Sequence, residues 1–469
     1  MSNCVCSGYH TRGAQLLMVE IIALFSCLDQ CLEARTLKQL GRIVPAVLAM
    51  TGRVTMLGIS RWSGQGGSYR TVQRFFNTTL PWAKVMWLFF QQHLLKRQGT
   101  YIVAGDETVV TKAGKKTYGL DRFFSSLYDK PVPGLKIFVL SLINVQERTS
   151  YPLITEQVIR SAEDKAAAKA KKEAKQKHDP AQPKGKPGRP KGSKNKNKTE
   201  VTRTTELQVL ERLLGKLLQM VLHTLSITYV VLDGQFGNNN ALQVVQQCGS
   251  LHLISRLRYD SALYDRFSGD YSGRGPRPKY GDRINYRQMA TEYRVSTVTD
   301  KAIRTDIYQT VALHKHFAQP LNVVVILKTN LKTQAQAHVI LFSSDLDLAY
   351  DRLVDYYSLR FQIEFNFRDA KQYWGLEDFM NIHETQVTNA INLSFFMINV
   401  SHQLLSDFRL YQPGAGVLDL KSVFRSQRYV AEVIKTLDQK PQPVLIRDIY
   451  VKTAQLGAIH KPITAYRSP

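Results

Sequence analysis

The segment Tyr357-Ser-Leu-Arg360-Phe-Gln-Ile-Glu364-Phe-Asn-Phe-Arg-Asp-Ala-Lys371 restricts this chain more than any other part of it. Projected on an α-helix at roughly 100° per residue, Tyr357, Arg360, Glu364 and Lys371 share an arc of about 60°. A carboxylate, a guanidinium, an ammonium and a phenol therefore line one narrow stripe. Such a stripe suits either a solvated face with intrahelical ion pairs or a site that holds a metal and grips phosphates. The interleaved Phe361, Ile363, Phe365 and Phe367 make the helix too apolar for a free surface element. The stripe is expected to face a cleft.

Charge narrows the choice of partner. The 469 residues carry 63 Lys and Arg against 38 Asp and Glu, a formal +25. That favours a polyanion, with nucleic acid ahead of anionic membrane. No lipidation motif or amphipathic basic helix accompanies the charge. The apolar stretch over 16–32 is broken by Glu20 and Asp29, so no membrane span is expected. Cys4, Cys6, Cys27, Cys31 and Cys248 form an odd set without a secretory leader. This points to a reducing compartment and a cytoplasmic, nucleoid-associated protein. The first four lack the intervals of a standard zinc finger.

The pattern along the chain predicts an α/β fold preceded by helices. Residues 1–98 read as a helical DNA-binding domain, with helices over 36–50, 69–76 and 83–97. The second of these is capped by Ser68 and carries Arg70 and Arg74 on one face. Residues 99–257 read as the first part of a core: strands over 101–110, 135–145 and 151–159, a helix over 204–225, a strand over 226–232, a helix over 239–248 and a strand over 251–257. A low-complexity basic tract over 161–203, with 14 Lys and Arg against 5 Asp and Glu, interrupts that core. Residues 258–345 read as a β-rich insertion, with strands over 294–298, 304–313, 322–328 and 338–343. Residues 346–410 complete the core with the Glu364 helix and an apolar helix over 384–406. Residues 411–469 form a mixed tail with a helix near 418–437, a candidate dimerisation segment.

Two further acids sit where strands carry function. Asp106 lies inside the apolar run Val-Ala-Gly-Asp-Glu-Thr, where an acid must be paired or ligated. Gly105 beside it would let a metal or substrate approach the backbone, and Glu107 is expected on the opposite face. Asp233 ends the strand Val-Val-Leu-Asp-Gly, at the edge where ligand groups collect in α/β sheets. The alternatives are a structural hydrogen bond for Asp106 and a turn-forming Asp-Gly for Asp233. Three carboxylates drawn together would repel by about 4 kcal/mol per pair at about 4 Å and an effective dielectric near 20. Convergence of Asp106, Asp233 and Glu364 therefore requires cations, and hard oxygen donors select Mg²⁺ or Mn²⁺. Two such ions suit phosphodiester chemistry without a side-chain nucleophile.

These residues carry a resemblance to DDE transposases of the insertion-sequence-four family. The hallmark of that family is Tyr-x2-Arg-x3-Glu-x6-Lys on the helix of the last catalytic acid, which Tyr357, Arg360, Glu364 and Lys371 match at every position. Asp106-Glu-Thr, with the following Lys112-Ala-Gly-Lys-Lys-Thr-Tyr-Gly, is similar to the first-acid segment, and Val-Val-Leu-Asp233-Gly to the second. The resemblance spans about residues 60–405. It implies a ribonuclease-H-like core interrupted by a β-rich insertion. Asp106, Asp233 and Glu364 would be catalytic ligands of two Mg²⁺ or Mn²⁺ ions, with Tyr357, Arg360 and Lys371 on the phosphates of the element end. It also implies cutting of double-stranded DNA at inverted repeats, often through a hairpin, and joining of 3′ ends to target DNA by a synaptic homodimer. One departure stands out: relatives carry Arg-Glu after the second Asp, whereas Gly234-Gln235-Phe236-Gly237 follows here.

Within the basic tract, Lys186-Pro-Gly-Arg189-Pro-Lys-Gly-Ser-Lys194 is similar to an AT-hook, which lays its arginine in a narrow minor groove. A solvated linker binding phosphates without sequence preference is the alternative, and the one favoured here. Tyr373 and Trp374 suit either base stacking or anchorage of the helix end in the core. Ala113-Gly-Lys-Lys-Thr117 lacks the upstream glycine and the Lys-Ser/Thr junction of a phosphate-binding loop, so no ATP requirement is expected. Two rival functions remain: a DNA-binding derivative without catalysis, and a nuclease that cuts without joining.

Overall fold

The computed structural model describes residues 21–460, apart from 126–127, 272, 274, 411, 440 and all of 162–196 but 166, 170 and 173. Cys4, Cys6 and the AT-hook-like Arg189 therefore lie outside the described residues.

The apolar runs form one twelve-stranded sheet. Its strands are β1 Tyr101–Thr111, β2 Asp121–Ser125, β3 Lys130–Asn144, β4 Thr149–Gln157, β5 Tyr229–Leu232 and β6 His252–Leu257. There follow β7 Leu263–Arg266, β8 Tyr280–Arg283, β9 Arg294–Asp300, β10 Ile303–His314, β11 Leu321–Asn330 and β12 Gln336–Ser343. The order is β2-β3-β1-β5-β6-β12-β11-β10-β7-β8, with β4 on β3 and β9 on β10. β1 runs antiparallel to β3 and parallel to β5, and β5 parallel to β6. Tyr101–Ala104 and Val230–Leu232 are buried, as strands covered on both faces demand.

The segment expected as a separate β-rich insertion extends this same sheet. The apolar end of β12 pairs antiparallel with β6, from Ile340↔Leu257 to Ser343↔Ile254. Burying Ile340, Leu341 and Phe342 beside Leu253 and Ile254 removes the open edge that β6 would otherwise present.

Among the described residues a one-turn helix, Ile21–Leu24, and four longer helices precede the sheet: α1 Ala34–Ala49, α2 Met56–Trp62, α3 Tyr69–Asn77 and α4 Trp82–Phe89. α3 is capped as expected, with Ser68 Oγ accepting from Thr71 N. The helix expected over 83–97 instead stops at Phe89 and continues as one π turn over Phe90–Leu94. Inside the sheet's connections lie α5 Thr205–Val221 and α6 Asn239–Cys248, capped by Thr204 and Asn238. After β12 come α7 Tyr350–Leu359, α8 Gln362–Gln372, α9 Glu384–Arg409, α10 Val417–Lys435 and α11 Pro443–Ala454.

α9 is the hub. Its Phe396 ring meets Phe25, Trp82 and Phe89 at 5.9, 6.0 and 5.2 Å. The buried Asn389 accepts from Trp82 Nε1 at 2.7 Å and donates to the Phe76 and Thr78 carbonyls at 2.8 Å. Asn399 donates to Pro152 O on β4. Each buried amide is thus bonded to a different layer, which fixes the N-terminal helices against the sheet. Among the described residues no helix is long and apolar enough to cross a membrane.

Candidate active site

The first two acids are brought level by strand register. β1 and β5 pair in parallel as Val103↔Val230, Ala104↔Val231 and Gly105↔Leu232. The next residues are Asp106 and Asp233, on strands about 4.8 Å apart. Gly105 is needed for packing and leaves no room for a metal or substrate. A Cβ there would stand 2.8 Å from Leu232 Cδ2 and 3.0 Å from Leu140 Cδ2. Asp233 does cap a turn, with Oδ1 accepting from Gln235 N at 2.6 Å, and Ser255 Oγ donates to its carbonyl at 2.7 Å. The glycines after it serve this turn: a Cβ on Gly237 would collide with the carbonyl oxygen of Arg256.

The helix expected to run unbroken from Tyr357 to Lys371 is two helices. Between α7 and α8 the chain tightens into i→i−3 bonds, from Arg360 N to Tyr357 O and from Ile363 N to Arg360 O. Arg360 sits at this break, only 8 % exposed. Its fork donates from Nη1 to Asp106 Oδ2 at 2.6 Å and from Nη2 to Glu364 Oε1 at 3.0 Å. Nε is buried without an acceptor. One guanidinium therefore links an acid on β1 to an acid in the first turn of α8. Ile363 and Phe367 are buried as expected, but Phe361 and Phe365 are exposed beside Glu364.

Burial pushes the Asp106 carboxyl up to about 6. Arg360 and the Glu107 amide pull it down, while the Asp233 and Glu364 charges add to the rise. Burial also raises the Tyr357 phenol, against the nearby cations Arg360 and Arg256. Arg256, on β6, was missed in the sequence. It lines a cleft of about 320 Å³ with Gly234, Arg258, Tyr259 and His338. The one signal for it was the basic, aromatic run Arg256-Leu-Arg258-Tyr259 ending a strand. Glu107 lies on the opposite face as expected, where Lys136 pairs with it at 2.6 Å and with Glu206 at 3.2 Å. Lys371 donates to Val109 O at 2.9 Å and pairs with Glu377 at 3.5 Å. Trp374 is buried, so it anchors the end of α8 in the core.

Among the described residues no three or more His, Cys, Asp and Glu side chains are gathered so as to hold an ion. Arg360 stands between Asp106 and Glu364 instead. The residues nonetheless fit a divalent cation. All three acids offer hard oxygen donors, and a cation would offset both the burial that chiefly lifts Asp106 and the smaller push from the Asp233 and Glu364 charges.

The site thus places one acid on a central strand, a second just past the end of its parallel neighbour and a third in the first turn of the helix that follows the break at Arg360. A family model for DDE superfamily endonucleases matches residues 27–320, and the chain belongs to that family. The matched span contains Asp106 and Asp233 and ends before Glu364. Membership implies an endonuclease- or transposase-type enzyme with DNA as substrate, in a family that generally uses divalent metals. No curated protein matches the chain.

Proposed function

We propose that this protein is a DNA transposase that binds the ends of an insertion sequence, cuts the phosphodiester backbone and joins the 3′ ends to target DNA. The observation that carries this reading is the Arg360 fork joining Asp106 to Glu364, with Asp233 in register beside Asp106. The antiparallel β4-β3-β1 run followed by parallel β5 and β6 supports a ribonuclease-H-like core.

In this reading Asp106, Asp233 and Glu364 would hold two Mg²⁺ or Mn²⁺ ions. When bound, such ions activate the attacking oxygen and neutralise the departing one. The protein's own residues orient the DNA. Arg360 has a spare buried Nε–H, which suits a phosphate oxygen. Tyr357, on the preceding turn, reaches the same phosphate region. Lys371 serves as a third phosphate contact from its partly exposed position at the end of α8. The basic tract adds affinity without sequence choice. Two copies of the chain would bring two element ends together.

The test is Glu364→Gln on DNA carrying the element's inverted repeats. Cleavage in Mg²⁺ is abolished while end binding persists; near-normal cleavage would overturn the assignment. Labelled 3′ ends linked to a second DNA separate a transposase from a nuclease that cuts without joining.

A further inference from the structure

We infer that Lys112 is a positioning residue, a strut that sets the separation of the Asp106 strand and the Glu364 helix. The inference rests on the proposed reaction.

The geometry is that of two rungs between β1 and α8. From Glu364 to Lys371 the helix advances about 10.5 Å. From Asp106 to Val109 the strand advances about 10 Å. The Lys371 amine donates to Val109 O at 2.9 Å, so helix and strand stay level over the span that starts at the two acids. Lys112, three residues further along the chain, reaches the other way. Its amine donates to Glu377 O at 3.0 Å and to Phe379 O at 2.9 Å, in the loop that follows α8. It also lies 3.5 Å from the centre of the Phe379 ring.

Arg360, at the break before α8, also ties these elements together through Asp106 and Glu364, using the carboxylates that the chemistry requires. Loosening that bridge leaves the lysine rungs to hold β1 against α8. Asn366, bonded to Ser150 Oγ at 2.7 Å, ties α8 to β4 and leaves β1 free. The loop after α8 has a separate, uncharged anchor, Ser394 Oγ on α9 donating to Trp374 O at 2.8 Å, which touches neither acid-bearing element. Lys112, just past the end of β1, thus joins this loop to the strand of Asp106, and the Tyr118 N to Ile382 O bond holds the same loop six residues further along.

The test compares Lys112→Met, Lys112→Arg and Ser394→Ala in the full chain. Mn²⁺ affinity is read by electron paramagnetic resonance without DNA, alongside Tm and cleavage rate. Lys112→Met weakens Mn²⁺ binding about tenfold and slows cleavage, with end binding unchanged. Lys112→Arg restores most of both, because a guanidinium offers the same two carbonyls a donor. Ser394→Ala lowers Tm and leaves Mn²⁺ affinity at the wild-type level. Equal Mn²⁺ affinity in Lys112→Met and wild type would overturn the role, as would an equal loss in Ser394→Ala. Wild-type protein that binds no more Mn²⁺ than Glu364→Gln would instead overturn the proposed function, and the strut with it.

Discussion

Replacing Asp106 with Asn changes the pH dependence of stability by an amount the site's electrostatics fix. Burial lifts the folded-state carboxyl from 3.8 to about 6, since Arg360 only partly offsets the loss of water and the nearby acids. A folded pKa above the unfolded one means the folded state holds the proton more tightly. The associated stability is fully present below the unfolded value and is lost as pH rises through about 6. A rise of that size is worth about 3 kcal/mol. Asn does not titrate, so subtracting the variant's curve removes the groups that behave alike in both proteins. The wild type should therefore lose about 3 kcal/mol relative to Asp106→Asn between about pH 3 and about pH 7.5. At roughly 1–2 °C per kcal/mol for a chain of this length, the Tm gap moves by roughly 3–6 °C. Scanning calorimetry in EDTA across that range is the assay. A gap that stays constant with pH would mean Asp106 is not held as a strained acid, and the case for a cation-seeking site would lose its electrostatic basis.

Two other substitutions probe the frame around the site. Gly105→Ala puts a methyl 2.8 Å from Leu232 Cδ2, which costs about 1–3 kcal/mol and forces β1 from β5. Tm should fall, with cleavage falling further than end binding; an unchanged Tm would show that the two strands are not close-packed there. The buried Asp419 accepts from Gly416 N, Ile459 N, His460 N and His460 Nδ1, at 2.8, 2.6, 3.0 and 2.8 Å. These donors hold its carboxyl below the usual range despite burial. The stability it lends is present above the ordinary carboxylate pKa and lost as pH falls through the lowered value. Asp419→Asn should cost about 2–3 kcal/mol at neutral pH, a loss that shrinks in acid; urea melts showing equal losses at both pH values would contradict this.

How much of this site could be read from the chain depends on what each residue bonds to. Asp106 and Asp233 were legible because a carboxylate inside or at the end of an apolar strand is conspicuous, and strand alternation correctly sent Glu107 to the other face. The match of Tyr357, Arg360, Glu364 and Lys371 to one stripe was legible too, but the helix drawn through them was not the one that forms. Helical periodicity hardly registers one tightened turn, yet that turn is where Arg360 enters the site and where Phe361 is left exposed. The union of β12 with β6 was hidden because alternation gives a strand's faces without naming its neighbour. The lysines were the least legible. Lys371 and Lys112 both donate to main-chain carbonyls, which every sequence supplies at every position. A lysine near a catalytic acid therefore reads as a phosphate contact from sequence, where charge is all that shows. Its main-chain acceptor is set by the three-dimensional approach of strand and helix, so the bond from Lys371 to Val109 O, made beside the phosphate contact proposed for it, and the bonds of Lys112 to Glu377 O and Phe379 O could not be read from the chain.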